Sequence, residues 1–313
     1  MAWSLAWRLL LGVGLAAIPL SGSAYLTNLL TVIALHALPA IGLSLLMGYT
    51  GQISIGHAAF YGLGAYGSAL LALRGGVDPW LGIPLAATMV ALVAWGLGWL
   101  IFRLRGHHLA VATLGLGIIV YVALVELRAW TGGPNGLSGI PPLRLFGRAL
   151  DTDFRFYPLA WGACLAGAAM AGNLIRAPVG LAMRAVRESE RAAASLGVDV
   201  AALKRRVFVV SAIYASVAGG LYAHYIGYVS PQPFGVVFSI RLIVMVAVGG
   251  FANVGGALFG AAFVTVAGEV LQGLGHYDVM GFGLTLVLVM VLLPGGLPQL
   301  LRRLSVRLRE ARS

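Results

Sequence analysis

The chain has 313 residues, 60% of them hydrophobic and 10% charged, where an average soluble domain carries about 25% charged residues. Its mean hydropathy is +0.93, and 21 basic residues against 10 acidic ones leave a net charge of +11. A soluble enzyme, a disordered protein and a disulfide scaffold are all excluded, the last also because Cys164 is the only cysteine.

At roughly 20 apolar residues per crossing, this length accommodates about eight to eleven membrane helices. Ten apolar segments are predicted: 5–21, 25–47, 53–73, 80–102, 109–130, 156–175, 207–226, 237–249, 257–271 and 279–293. Residues 1–23 carry Arg8, an apolar stretch and the small residues Ser21 and Ser23, which mimics a cleavable signal peptide. An uncleaved first helix is the expectation. The third segment is interrupted by Gly56, Gly62, Gly64 and Gly67, and the eighth and ninth are short. In a transporter, such segments are where unwound backbone faces a cavity. The expected fold is all-α: a polytopic integral membrane protein with about ten transmembrane helices, some short or discontinuous. Residues 1–313 are expected to form one transmembrane domain with a charged loop at 176–206.

The distribution of charge tests this count. Fifteen of the 21 basic residues fall in four places: Arg8, the turn 103–106, the linker 176–206 and the tail after residue 301. Ten crossings from a cytoplasmic N-terminus put all four on the cytoplasmic side, as the positive-inside rule requires, with the C-terminus there too. The positive charge therefore needs no nucleic-acid partner. An error of one helix between any two of these regions breaks the agreement.

Much chemistry is missing. The single lysine, Lys204, follows Ala201-Ala202-Leu203, so no P-loop exists. Glu126, Arg128, Arg241 and Glu269 fall near segment ends, where snorkelling or local pairing competes with ion coupling as an explanation. His107 and His108 are adjacent, and His36, His57, His224 and His276 are scattered, which makes no metal site; nor is any hydrolase motif present. Catalytic, cofactor and metal sites are all expected to be absent.

The most informative segment is 180–197. Leu181, Ala185, Ala192 and Leu196 alternate with charge at helical spacing, and Gly197 is a natural stop. One reading is an interfacial helix on anionic lipid. The other is a coupling helix that docks on a separate ATPase, through Arg184, Arg187, Glu188, Glu190, Arg191 and Gly197.

This segment resembles the cytoplasmic loop of the LivM-type branched-chain amino-acid ABC permeases. The resemblance extends through Gly48 to His57 (GYTGQISIGH), Thr131 to Gly136 (TGGPNG), Tyr222 to Pro231, Met245 to Gly256 and Leu293 to Leu297, nearly the whole chain in order. TGGPNG sets this type apart from its usual LivH-type partner. Two departures stand out. Arg191 occupies the loop's usual glutamate position, with Glu190 one residue early, and Gly295 replaces a usual basic residue.

The resemblance implies one permease subunit of an ATP-driven importer for branched-chain or related hydrophobic amino acids, in the bacterial inner membrane, working by alternating access. It also implies a LivH-like permease partner, two ABC ATPase subunits that carry ATP-Mg, an extracytoplasmic substrate-binding protein, and no cofactor in this chain. A urea or amide importer of the same architecture would share every motif, and a gradient-driven carrier would dispense with the ATPase.

Two clusters remain open in role. Gln52, Ser54, Gly56 and His57 offer either neutral groups for a zwitterion along a substrate pathway or close helix packing. Pro134, Asn135 and Gly136 form a turn-rich outer loop, either a contact for the binding protein or a rigid surface turn. Tyr222, His224, Tyr225 and Tyr228 read as an aromatic belt at the outer interface.

Overall fold

The computed structural model describes residues 22–102 and 107–272, together with Gly283. The first and tenth predicted segments, the turn 103–106, His276, the 293–297 motif and the basic tail lie outside the described residues. Within them the chain is mostly helical, and the second to ninth predicted segments each coincide with a helix.

Helix α1 (Ala24–Leu43) starts where the Ser23 hydroxyl accepts the Leu26 amide, and it runs on into a π-helical turn, Ser44–Tyr49. After a non-helical stretch come α2 (His57–Leu73), α3 (Pro79–Ile101) and α4 (His107–Glu126). Asp78 caps α3 by accepting the Trp80 amide, and Pro79 sits at the first helical position, where its missing N–H costs nothing. A short α5 (Arg128–Thr131) leads into a loop region that carries small strands. Then follow α6 (Asp153–Arg176), α7 (Pro178–Glu188), α8 (Glu190–Ser195), α9 (Val200–Ile226), α10 (Val236–Gly249) and α11 (Val254–Gln272).

Six of the described helical stretches are long and apolar enough to cross a membrane: Ala24–Tyr49, Pro79–Ile101, His108–Glu126, Asp153–Arg176, Val200–Ile226 and Val254–Leu271. Helices α2 and α10 are shorter.

Helix α9 is the central post, packed by α1, α2 and α3. Lipid gives helices no hydrophobic reason to associate, so close van der Waals contact must hold them, and small residues permit it. A Cβ on Gly219 would lie 1.9 Å from the Tyr61 carbonyl oxygen, and one on Gly64 would lie 2.2 Å from that of Ser216. Backbone thus rests on backbone where α2 crosses α9. The α10–α11 hairpin is built the same way: Cβ atoms on Gly256 and Gly260 would lie 1.8 Å from the carbonyls of Gly249 and Met245.

These contacts correct the expectation of a third segment interrupted along its length. Gly62, Gly64 and Gly67 lie inside a continuous α2, and the chain unwinds only before it, between Tyr49 and His57.

The 178–197 region is also not one helix. It breaks at Ser189, which adopts extended backbone and caps α8 by accepting the Ala192 amide. Its buried residues are Gly180, Met183, Val186 and Ala193, whereas the expected apolar stripe leaves Leu181 65% and Leu196 82% exposed.

At one end of the bundle, Asn28, Asp153 and Tyr225 tie together the starts of α1 and α6 and the end of α9: the Tyr225 hydroxyl donates to Asp153 Oδ1 at 2.5 Å, and Asn28 Nδ2 donates to the Tyr225 oxygen at 2.7 Å. The same end carries β1 (Leu137–Ser138), which pairs with β4 (Tyr228–Val229), and a hairpin of β2 (Arg144–Leu145) and β3 (Arg148–Ala149). The aromatic-belt expectation fails for His224. Its side chain is buried, with Nε2 2.7 Å from Ser68 Oγ and Nδ1 2.7 Å from the Pro141 carbonyl oxygen, and it locks loop to helices.

Candidate functional site

At the opposite end, three parts of the chain meet: the foot of α1, the unwound stretch 50–56, and α7–α8. A helix C-terminus leaves its last carbonyls without intrahelical donors. Here the Thr50 hydroxyl returns to the Leu46 carbonyl at 2.6 Å, and the Gln52 amide reaches the same carbonyl at 3.2 Å. Gly51 takes φ +69°, a left-handed turn that suits glycine and reverses the chain.

Beyond Gly51 the chain has no helix or strand, and burial alternates along it. Gln52, Ser54 and Gly56 face the protein, while Gly51 and Ile53 are exposed, Ile53 to 43%. Inside a membrane, unwound backbone survives only if its polar groups find partners. Each comes from a different helix. Thr113 of α4 accepts the Ile55 amide at 3.0 Å, and Ser239 of α10 accepts the Ala58 amide at 3.0 Å. Ser54 Oγ lies 2.9 Å from His57 Nδ1, and the other ring nitrogen lies 2.6 Å from Ser211 Oγ of α9. A Cβ on Gly56 would stand 2.2 Å from the Thr113 carbonyl oxygen, so only glycine lets α4 approach.

The π turn is held from its other side by the turn between α10 and α11. Ser44 Oγ donates to the Phe251 carbonyl at 2.9 Å, and a Cβ on Gly48 would lie 1.5 Å from that same oxygen.

Helix α7 closes the assembly. Arg187 Nη1 donates to the Gly48 carbonyl at 2.5 Å, and its stem passes Gly51. Glu190 forms a salt bridge with Lys204 near the start of α9. Arg184, Glu188 and Arg191 are exposed, flanked by Leu181 and Leu196. Gly197 ends α8 at φ +85°, in open space. The face that looks away from the bundle is therefore charged with an apolar residue at each end, on a pair of helices too short to be stable alone.

The match to known proteins can now be set beside this geometry. Residues 25–294 match the permease component of the branched-chain amino acid transport system. The chain belongs to this family. Among its relatives is the LivM permease protein of the high-affinity branched-chain amino acid transport system of Escherichia coli K12, 32% identical over 86% of this chain and 69% of that protein. Its Salmonella typhimurium counterpart is 31% identical over the same shares. The LivH permease protein of Salmonella typhimurium is 26% identical, covering 86% of this chain and 93% of its own length. No solved structure matches the chain.

In this family member, some of the residues singled out in sequence lie together and others do not. Gln52, Ser54, Gly56 and His57 share one buried cluster, and Arg187 and Glu190 reach into the adjoining assembly. Pro134, Asn135 and Gly136 lie at the far end, where the Tyr228 hydroxyl donates to the Asn135 carbonyl at 2.9 Å. Thr113, Ser211 and Ser239 are partners that sequence reasoning missed. Each is a small hydroxyl among apolar neighbours, and the only available signal was that such a group must find a hydrogen bond. Among the described residues, no three His, Cys, Asp or Glu side chains converge as a metal site.

Proposed function

We propose that this chain is one permease subunit of an ATP-driven importer that carries branched-chain or related hydrophobic amino acids across the bacterial inner membrane. The observation that carries this reading is the outward face of α7–α8, with Leu181 and Leu196 exposed around Arg184, Glu188 and Arg191. Such a face, beside an unwound stretch of the bundle, suits a docking surface for a separate motor. The names of its relatives, permease proteins of high-affinity branched-chain amino acid systems, support the substrate class.

In this reading residues 1–313 form a single domain of about ten transmembrane helices, with 176–206 as the coupling loop. Both termini and that loop are cytoplasmic, because the loop and the termini gather most of the positive charge. Two ABC ATPase subunits dock on α7–α8 and supply ATP-Mg, so the chain itself does no covalent chemistry and needs no cofactor. A LivH-like permease completes the pathway. The exposed apolar faces of α3 (Leu81, Met89, Leu92) and α4 (Val111, Ile119) then meet that partner or lipid. A substrate-binding protein delivers the amino acid at the Asn28 end, with Pro134, Asn135 and Gly136 near its contact. The exposed edge of the unwound stretch, Gly51 and Ile53 beside Gln52, Ser54, Gly56 and His57, lies along the inner part of the pathway.

The test is leucine uptake into proteoliposomes that hold both permeases and the ATPases, with binding protein added outside the substrate-facing surface. Uptake that needs ATP, the ATPase subunits and the binding protein is expected. Uptake that persists without the ATPase subunits overturns the reading, and urea uptake in place of leucine uptake overturns the substrate class.

A further inference from the structure

Three elements converge on one carbonyl group. The π turn at the foot of α1 contains Gly48, whose carbonyl accepts a hydrogen bond from Arg187. Gly48 is otherwise fixed, pressed against the Phe251 carbonyl so closely that no side chain fits. Gly51, the left-handed hinge that opens the unwound stretch, lies against the Arg187 stem, with its virtual Cβ 3.5 Å from Arg187 Cγ.

A cation at the negative end of a helix dipole, bonded to an orphan carbonyl, is a favourable C-terminal cap. This cap comes from another helix, 139 residues away in sequence. Arg187 thus joins two bodies: α7, which carries the exposed docking face, and the last turn of α1, from which the chain unwinds. Its neighbours Arg184 and Glu188 are exposed on the outward face.

Resting on the importer reading above, we propose that Arg187 is a positioning residue that transmits movement of α7–α8 to the unwound stretch 50–56. When an ATPase subunit draws α7 away from the bundle, the guanidinium leaves the Gly48 carbonyl. The uncapped π turn then rearranges, and the displacement passes along Gly51 to His57 and its partner Ser211 in α9. When α7 returns, the cap re-forms. π-helical turns inside α-helices recur at functional sites, and this one lies where the two bodies meet.

The experiment uses the complete reconstituted transporter with leucine as the probe. Leucine taken up per ATP hydrolysed is measured for wild type, Arg187→Ala, Arg187→Gln and Arg187→Lys, alongside co-purification of the ATPase subunits. The ratio is independent of how much protein is recovered. Expected is a fall of at least tenfold for Arg187→Ala and Arg187→Gln, with the ATPase subunits still co-purifying, and recovery to at least a third of wild type for Arg187→Lys. An unchanged ratio in Arg187→Ala overturns the proposal, and so does loss of the ATPase subunits, which would make Arg187 a docking residue. Wild-type leucine uptake without ATPase subunits would instead overturn the importer reading itself, a result visible before any variant is made.

Discussion

Glu190 is ion-paired with Lys204, the chain's single lysine, whose side chain is 3% exposed. The pair fastens α8 to the start of α9 and turns Glu190 inward. Glu188, exposed at the end of α7, is therefore the acid of α7–α8 left facing outward.

Breaking this pair strands a buried ammonium group. Loss of one partner of a buried ion pair costs roughly 3–5 kcal/mol, and less where water reaches one side. Glu190 is 35% exposed, so Glu190→Gln is expected to lower stability by about 1–3 kcal/mol. The check is thermal unfolding in detergent. The double variant Glu190→Gln/Lys204→Met should regain most of the loss, and an additive loss would mean the two residues are not coupled.

The outward face calls for a different outcome. Leu196→Asp and Leu181→Asp change exposed side chains, so stability should move by no more than about 0.5 kcal/mol. Co-purification of ATPase subunits should nevertheless fall at least about tenfold, which corresponds to ~1.4 kcal/mol of interface energy. Gly197→Trp, which puts a bulky side chain at φ +85°, should weaken the association similarly. Undiminished recovery of ATPase with all three variants would argue against docking on this face.

His57 separates packing from substrate contact. Both ring nitrogens are bonded within the protein, to Ser54 and Ser211. His57→Ala leaves two buried hydroxyls without this partner and opens a cavity, at a cost of about 2–4 kcal/mol. If the ring serves only to pin α2 to α9, stability should fall while the KM for leucine uptake stays within about twofold, a shift of ~0.4 kcal/mol. A KM raised tenfold with stability intact would make His57 a substrate contact instead.

Phe146 offers a stabilising substitution. It is 97% exposed at the tip of the β2–β3 hairpin with φ +49°, followed by Gly147 at φ +78°. Such primed turns favour asparagine before glycine, and a bulky residue in this conformation carries roughly 1–2 kcal/mol of strain. Phe146→Asn should raise the thermal midpoint, by an amount equivalent to about 1 kcal/mol. A lowered midpoint would show that Phe146 makes a stabilising contact.

Much of this architecture was legible because apolar runs of membrane length leave few alternatives. The predicted segment 80–102 became Pro79–Ile101, and 237–249 became Val236–Gly249. The start of α9 lay seven residues before the predicted 207, because Lys204, Arg205 and Arg206 masked the helix. Those charges are tolerated there through the Glu190 pair and the stacking of Arg205 on Trp95, 4.5 Å from the ring centroid. In the site, the glycines and polar residues at 48–57 advertised the unwinding. Their partners did not, since Thr113, Ser211 and Ser239 answer to contacts between distant helices, which leave no local pattern. The split at Ser189 was likewise hidden, because a serine preceding Glu190 reads equally as helix interior or as cap.

Where Gly219 meets the Tyr61 carbonyl, nothing softer than main chain separates two helices. Side chains can swivel to let neighbours slide; a peptide plane cannot. Helices α2 and α9 are therefore expected to turn together, and a gap that appears during a working cycle is expected at seams lined by rotamers, such as the one between α6 and α9, where the Tyr214 ring rather than main chain stands against Gly167.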